Sequence, residues 1–225
     1  MPRESLQTKT ERVQEIIAAL QRAYPDAHCE LNHRTPFELL LATILSAQCT
    51  DKQVNIVTAE LFQKYKSAAD FANADLAQIE QDIRRIGLYR NKAKNIQACA
   101  RRLIERHGGE VPRTMEELFE LNGVGRKTAN VVLGNAFGIH HGVVVDTHVA
   151  RLSERLGLTT ETNPEKIERA LQTLVPKKLW TLFSHWLIWH GRRRCSARHP
   201  DCLHCEIRKL CPTGSKILKA SGLNP

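Results

Sequence analysis

An all-α fold is predicted by three features of this sequence. Apolar residues recur three and four apart along almost the whole chain, helix-start signatures precede several of those stretches, and no alternation of apolar and polar residues runs long enough for a sheet. In chain order, Val13, Ile16, Ile17, Leu20 and Tyr24 share one helical face, which stops at Tyr24-Pro25. Thr35-Pro36-Phe37-Glu38 reads as a capping box, with proline at the first helical position. Ile96, Cys99, Leu103 and Ile104 form the next face, stopped by His107-Gly108-Gly109, and Thr114-Met115-Glu116-Glu117 reads as a second capping box. Ala129, Val132, Leu133, Ala136 and Phe137 follow, up to Gly138. Val143-Val144-Val145 is strand-like but too short to found a sheet, and is better read as a buried linker. Asn163-Pro164 then starts a helix whose inner face is Ile167, Ala170, Leu171 and Leu174. About ten helices joined by short loops are expected, without internal repeats or low-complexity segments.

The 225 residues amount to one large domain or two small ones around a shared core. With 42% apolar and 25% charged residues, the composition supports neither disorder, nor collagen, nor a disulfide mini-protein. Phe37 to Ala47, the longest apolar stretch, is interrupted by Glu38 and Thr43 and falls short of the ~18–20 residues that cross a bilayer, so no membrane span is expected. The start, Met-Pro-Arg-Glu-Ser-Leu-Gln, has no apolar signal core, which implies a cytoplasmic, thiol-preserving setting, with the nucleoid in a prokaryote. The net charge is +9, and +6 of it lies from His190 onward, where eight Lys/Arg face only Asp201 and Glu206. Such a tail suits a phosphate-neutralising surface, and equally a solvated basic end that aids solubility.

Three motifs carry chemistry. In Leu121-Asn122-Gly123-Val124-Gly125-Arg126-Lys127, glycines at alternate positions of a tight turn let the backbone approach a ligand, and the following helix opens with unpaired N–H groups, an arrangement that holds phosphate. An ordinary helix–turn–helix connection accounts for the same glycines. In Cys195-x6-Cys202-x2-Cys205-x5-Cys211, four cysteines within seventeen residues of a reduced chain argue for a metal, with structural zinc and an iron–sulfur cluster both open on spacing alone. The isolated Cys29, Cys49 and Cys99 read as small buried hydrophobes. In Val143-Val144-Val145-Asp146-Thr147-His148-Val149, Asp146 reads as a helix N-cap and His148 as a first-turn polar residue; a cap can still carry a catalytic carboxylate.

Together with Leu45-Ser46-Ala47-Gln48-Cys49-Thr50-Asp51 and Gly87-Leu88-Tyr89-Arg90-Asn91-Lys92-Ala93, these motifs resemble the endonuclease III family of bifunctional DNA glycosylases, from about residue 10 to Cys211. The resemblance implies two helical domains: a six-helix barrel over 29–140 containing a helix-hairpin-helix element at about 116–137, and a 4Fe–4S cluster domain from 1–28 and 141–225, with the cluster loop at 195–211. It implies duplex DNA with damaged pyrimidines or abasic sites as partner, bound in the groove between the domains, and monomeric action. It assigns Lys127 as the Schiff-base nucleophile, Asp146 as its catalytic partner, and Cys195, Cys202, Cys205 and Cys211 as cluster ligands. Gly123, Gly125 and Arg126 would grip DNA, Gln48 would fill the space of the extruded base, and Leu88 would wedge into the opposite strand. Ser46, Asp51 and His148 match supporting positions. Each has a plainer reading: Lys127 as a phosphate-contacting cation, Gln48 as a helix-end polar residue, Leu88 as an apolar plug. Asn122 stands where the family commonly has proline, which loosens the turn without touching Lys127. The rivals are a monofunctional adenine or mismatch glycosylase, which lacks a lysine at this position, and a non-enzymatic DNA-binding module, which has no use for the Lys127 and Asp146 pair.

Overall fold

Twelve α-helices and two short 3-10 turns make up the regular structure of residues 4–223, the part of the chain that the computed structural model describes, and no strand occurs among these residues. Residues 1–3 and 224–225, the outermost of the expected cluster domain, lie outside the described residues. The helices are α1 (Leu6–Ala23), α2 (Pro36–Leu45), α3 (Asp51–Lys64), α4 (Ala68–Asn73), α5 (Leu76–Asp82), α6 (Tyr89–His107), α7 (Met115–Phe119), α8 (Arg126–Phe137), α9 (Thr147–Arg155), α10 (Pro164–Leu174), α11 (Trp180–Arg193) and α12 (Pro212–Ala220). Their number exceeds the expected ten because α4 and α5 have only six and seven residues, too few turns to print a periodic pattern. None of the helices is long and apolar enough to cross a membrane.

Local chemistry sets most boundaries. Thr35, Thr114 and Asn163 cap α2, α7 and α10 with their side chains, and Gly108 and Gly138 end α6 and α8 in the left-handed conformation. Neither expected capping box closes. The Glu38 carboxylate accepts from the Arg34 N–H at 2.6 Å, one residue before the cap, and the Glu117 carboxylate takes the Thr114 hydroxyl proton at 2.6 Å. The closed box is at Ser67 and Asp70, where both reciprocal bonds are present.

The chain divides into two compact units. One combines the chain through His28 with the chain from Gly142 onward. Here α1 packs on α10 and α11, while α9 packs on α10, α11 and α12. Val13, Ile16 and Leu20 meet Leu152, Leu171, Phe183 and Trp186 in its core. The Val143–Val145 segment is a linker, as expected: Val143 and Val144 are buried, and the Val144 N–H donates to Ser184 Oγ at 2.9 Å.

The other unit runs from Cys29 to His141 and holds α2–α8. Its centre is α2, in which Leu39, Leu40, Leu41 and Leu45 are wholly buried, so this helix is apolar all round and is enclosed by α3, α6 and α8. Burying each such leucine contributes ~1.5–3 kcal/mol. Helices α4 and α5 cover α6, and α7 folds back on α8. Two expectations of burial fail. Ile104 lies 42% exposed because it sits one step round from the Ile96–Cys99–Leu103 face, and Cys29 and Cys49 are only half-buried because they stand in loops. Cys99 is fully buried, which pushes its thiol up to about 12.

Candidate active site

Helices α7 and α8 form the arms of the glycine turn. Gly123 has φ +78°, and a Cβ there would stand 3.2 Å from both Asn95 Cβ and Ile44 Cγ2, so glycine is required by conformation and by space. Gly125 is different. Its backbone is extended, a Cβ would meet nothing within 4 Å, and it caps α8 without a side-chain hydrogen bond. The start of α8 therefore offers its backbone donors and positive dipole end with no capping side chain in the way. Arg126 is half-buried, and Lys127, the second residue of α8, is exposed. Asn122 is exposed in the turn, which the Val124 N–H closes by donating to the Leu121 carbonyl at 3.2 Å.

Two further loops of the same unit carry Gln48 and Leu88. Both are exposed, Leu88 by 59%, and both adopt left-handed backbones, with φ +54° and +59°. The loops adjoin: a Cβ on Gly87 would lie 3.9 Å from the Gln48 carbonyl oxygen. Between them runs Lys92, only 4% exposed, whose ammonium donates to the carbonyls of Leu45 and Ala47. Burial pulls its pKa below the usual lysine range, while the nearby Cys49 pushes it up. Ser46 ends α2 and donates to the Thr43 carbonyl at 2.8 Å; Asp51 opens α3.

In the unit built from both ends, Asp146 caps α9. Its Oδ1 accepts from the N–H groups of His148 and Val149 at 2.9 and 2.8 Å, so both capping bonds fall on one oxygen and Oδ2 is left out of the cap. The His148 ring lies beside Gly191 of α11 and 3.2 Å from Arg151 Nη2 of its own helix.

Cys195, Cys202, Cys205 and Cys211 line one pocket, together with Leu152, Leu156 and Ile207. All four are free thiols. Arg155 Nη1 donates to Cys195 Sγ at 3.1 Å, the Gly214 N–H donates to Cys211 Sγ at 3.3 Å, and His190 Nε2 lies 3.4 Å from Cys205 Sγ. Burial first, and the neighbouring thiols next, push Cys202 and Cys205 upward, Cys205 to about 12; burial also raises Cys211. Lining one pocket, the four sulfurs can converge on a single cation, and N–H groups aimed at sulfur are the donors that thiolate ligands accept. The residues thus fit a thiolate-bound metal group. Part of the tail's charge is consumed inside the loop, since Arg194 binds Asp201 at 2.7 Å and Glu206 at 2.9 Å.

The sequence-derived site residues therefore fall into four groups: the hairpin with Lys127 and the Gln48/Leu88 loops in the central unit, and Asp146 and the cysteine pocket in the other. Lys92, Arg155 and His190 carry no signal in the sequence. Lys92 stands in the Gly87-to-Ala93 stretch, where nothing distinguishes a buried lysine from a solvated one.

A helix-hairpin-helix turn with an exposed lysine at the helix start in one unit, and a four-thiol pocket in the other, define a class: residues 41–177 match the family described as HhH-GPD superfamily base excision DNA repair protein. Endonuclease III of Synechocystis sp. (strain ATCC 27184 / PCC 6803 / Kazusa) is 54% identical over 92% of this chain and 94% of its own. Two solved structures, a non-covalent endonuclease III–DNA complex and a trapped endonuclease III–DNA covalent intermediate, are each 47% identical with a TM-score of 0.88. They cover 93% and 92% of this chain and 98% of their own. This chain belongs to the endonuclease III family, and with it to the base-excision DNA glycosylases that also act as abasic-site lyases.

Proposed function

We propose that this protein removes oxidised pyrimidines from duplex DNA and nicks the strand 3′ to the resulting abasic site through a Schiff base on Lys127. The observation that carries the reading is Lys127 itself: an exposed amine on the first turn of α8, behind a glycine turn, in a chain 47% identical to an endonuclease III trapped covalently on DNA. Backbone donors of the hairpin bind phosphate, and the target base leaves the stack. The Lys127 amine then forms a bond to C1′ of the deoxyribose as the C1′–N bond breaks and the base departs with its electron pair and a proton. Asp146 supplies negative charge for the developing sugar cation, through a carboxylate whose second oxygen the helix cap does not use. The ring opens to an imine, the C2′ proton is lost, the electrons expel the 3′-phosphate, and water hydrolyses the imine to release the enzyme.

Cys195, Cys202, Cys205 and Cys211 would hold a 4Fe–4S cluster, which when bound cross-links the loop through four iron–thiolate bonds. The cytoplasm, where thiols stay reduced, suits that group. Borohydride trapping on a duplex bearing thymine glycol tests the whole reading. A covalent adduct with the wild type that vanishes in Lys127→Ala is expected. Base release without an adduct would indicate a monofunctional glycosylase, and DNA binding with neither would indicate a non-enzymatic module.

A further inference from the structure

We infer that Lys92 is the positioning residue that locks the Gln48 and Leu88 loops to one another, so that they enter the duplex as one unit; the inference rests on the glycosylase reading above. One residue reaches both. Its ammonium holds the carbonyls of Leu45 and Ala47, which are the last residue of α2 and the residue just before Gln48. Its backbone N–H donates to the Leu88 carbonyl at 3.1 Å.

The chemistry favours this role over packing. A methionine has the same reach and none of the desolvation cost of an ammonium that is 4% exposed, so burying a charge here is explained by what the charge holds. It sits at the carbonyl end of α2, where the helix dipole favours a cation, and it satisfies oxygens that a Gln48 turn in left-handed conformation leaves outside any helix ladder. Leu88 has no side-chain cap of its own, so its conformation depends on the first turn of α6, where Lys92 lies. Removing the ammonium frees the Gln48 turn while leaving Leu88 bonded, and the two side chains lose their common reference.

The test is a double-mutant cycle on single-turnover base release from a thymine glycol duplex. Lys92→Met is expected to slow release about tenfold, the scale of one charge-assisted hydrogen bond. Added to the Gln48→Ala/Leu88→Ala background, it is expected to slow release no further. A loss that multiplies in that background would show a general structural role and overturn the inference, as would a Lys92→Met enzyme as fast as wild type. A second readout uses 2-aminopurine opposite an abasic site: binding should change its fluorescence with wild type and much less with Lys92→Met, at unchanged DNA affinity. An unchanged signal would also overturn it. If Lys92→Met does not fold, Lys92→Gln, uncharged and one atom shorter, so that it no longer spans both carbonyls, carries the same cycle. Wild type that releases no base at all would sink the glycosylase reading instead, and the fluorescence arm would still decide the role of Lys92.

Discussion

Gln48 and Leu88 are the two non-glycine residues, among those described, whose backbones are left-handed, and they stand on adjoining loops with Gly87 packed 3.9 Å, by its missing Cβ, from the Gln48 carbonyl. Such a conformation costs an L-residue about 1–2 kcal/mol. Strain shared by two exposed side chains on neighbouring loops marks a place kept for contact rather than for stability.

Replacing either with glycine should therefore separate stability from function. Leu88→Gly relieves the left-handed cost and loses little burial, but adds ~0.5–1 kcal/mol of unfolded-state entropy, leaving a change between zero and about 1.5 kcal/mol in favour of folding. If Leu88 wedges into the duplex, base excision should fall about tenfold or more. Urea unfolding alongside single-turnover kinetics measures both; a variant both less stable and fully active would contradict this view of the loop.

At Asp146 the observed cap and the proposed catalytic charge can be separated. Asparagine caps a helix as well as aspartate does, so Asp146→Asn should change stability by only a few tenths of a kcal/mol, whereas Asp146→Ala should cost ~1 kcal/mol. If the charge stabilises the sugar cation, both should lower base release about 100-fold. An active Asp146→Asn would reduce Asp146 to a cap.

The two hairpin glycines should respond in opposite ways. Gly123→Ala forces a Cβ to 3.2 Å from Asn95 and Ile44 at positive φ, and should destabilise by about 1–3 kcal/mol. Gly125→Ala has open space and an extended backbone, so it should fold normally and weaken DNA binding instead, where a methyl covers the start of α8. Thermal melts and binding isotherms on the pair distinguish these outcomes.

Purified protein should be yellow-brown, with broad absorbance near ~400 nm from an iron–sulfur cluster. Replacing any one of Cys195, Cys202, Cys205 or Cys211 with serine should lower the folded yield, because binding the group and folding the loop are one equilibrium. A colourless protein containing one zinc would replace the cluster in this account while keeping the same four ligands.

His185 sets a pH dependence. Burial, helped by His28, pushes it down from 6.5 to about 4, so it is neutral in the folded state where the unfolded chain would protonate it. Its contribution is complete above pH 6.5 and is lost as pH falls from there toward about 4. His185→Gln should flatten the fall in urea midpoint across that window, and an unchanged slope would show that other groups govern acid sensitivity.

Much of this protein was legible from its residues alone, wherever the governing interaction is local. Threonine, asparagine and glycine place the ends of α2, α7, α8 and α10 because a cap bonds within three or four residues of itself. The clustering of four thiols shows in the sequence because seventeen residues of chain cannot carry them far apart. The tertiary structure decided what depends on residues distant in sequence. Gly123 is indispensable partly because Ile44 and Asn95 crowd it, and Lys92 is buried because the end of α2 lies over it. Gln48 and Leu88 became strained neighbours only when α2 and α6 packed together. A lysine in a sequence carries the same formula whether it is solvated or enclosed; its role is set by what the folded chain places around it.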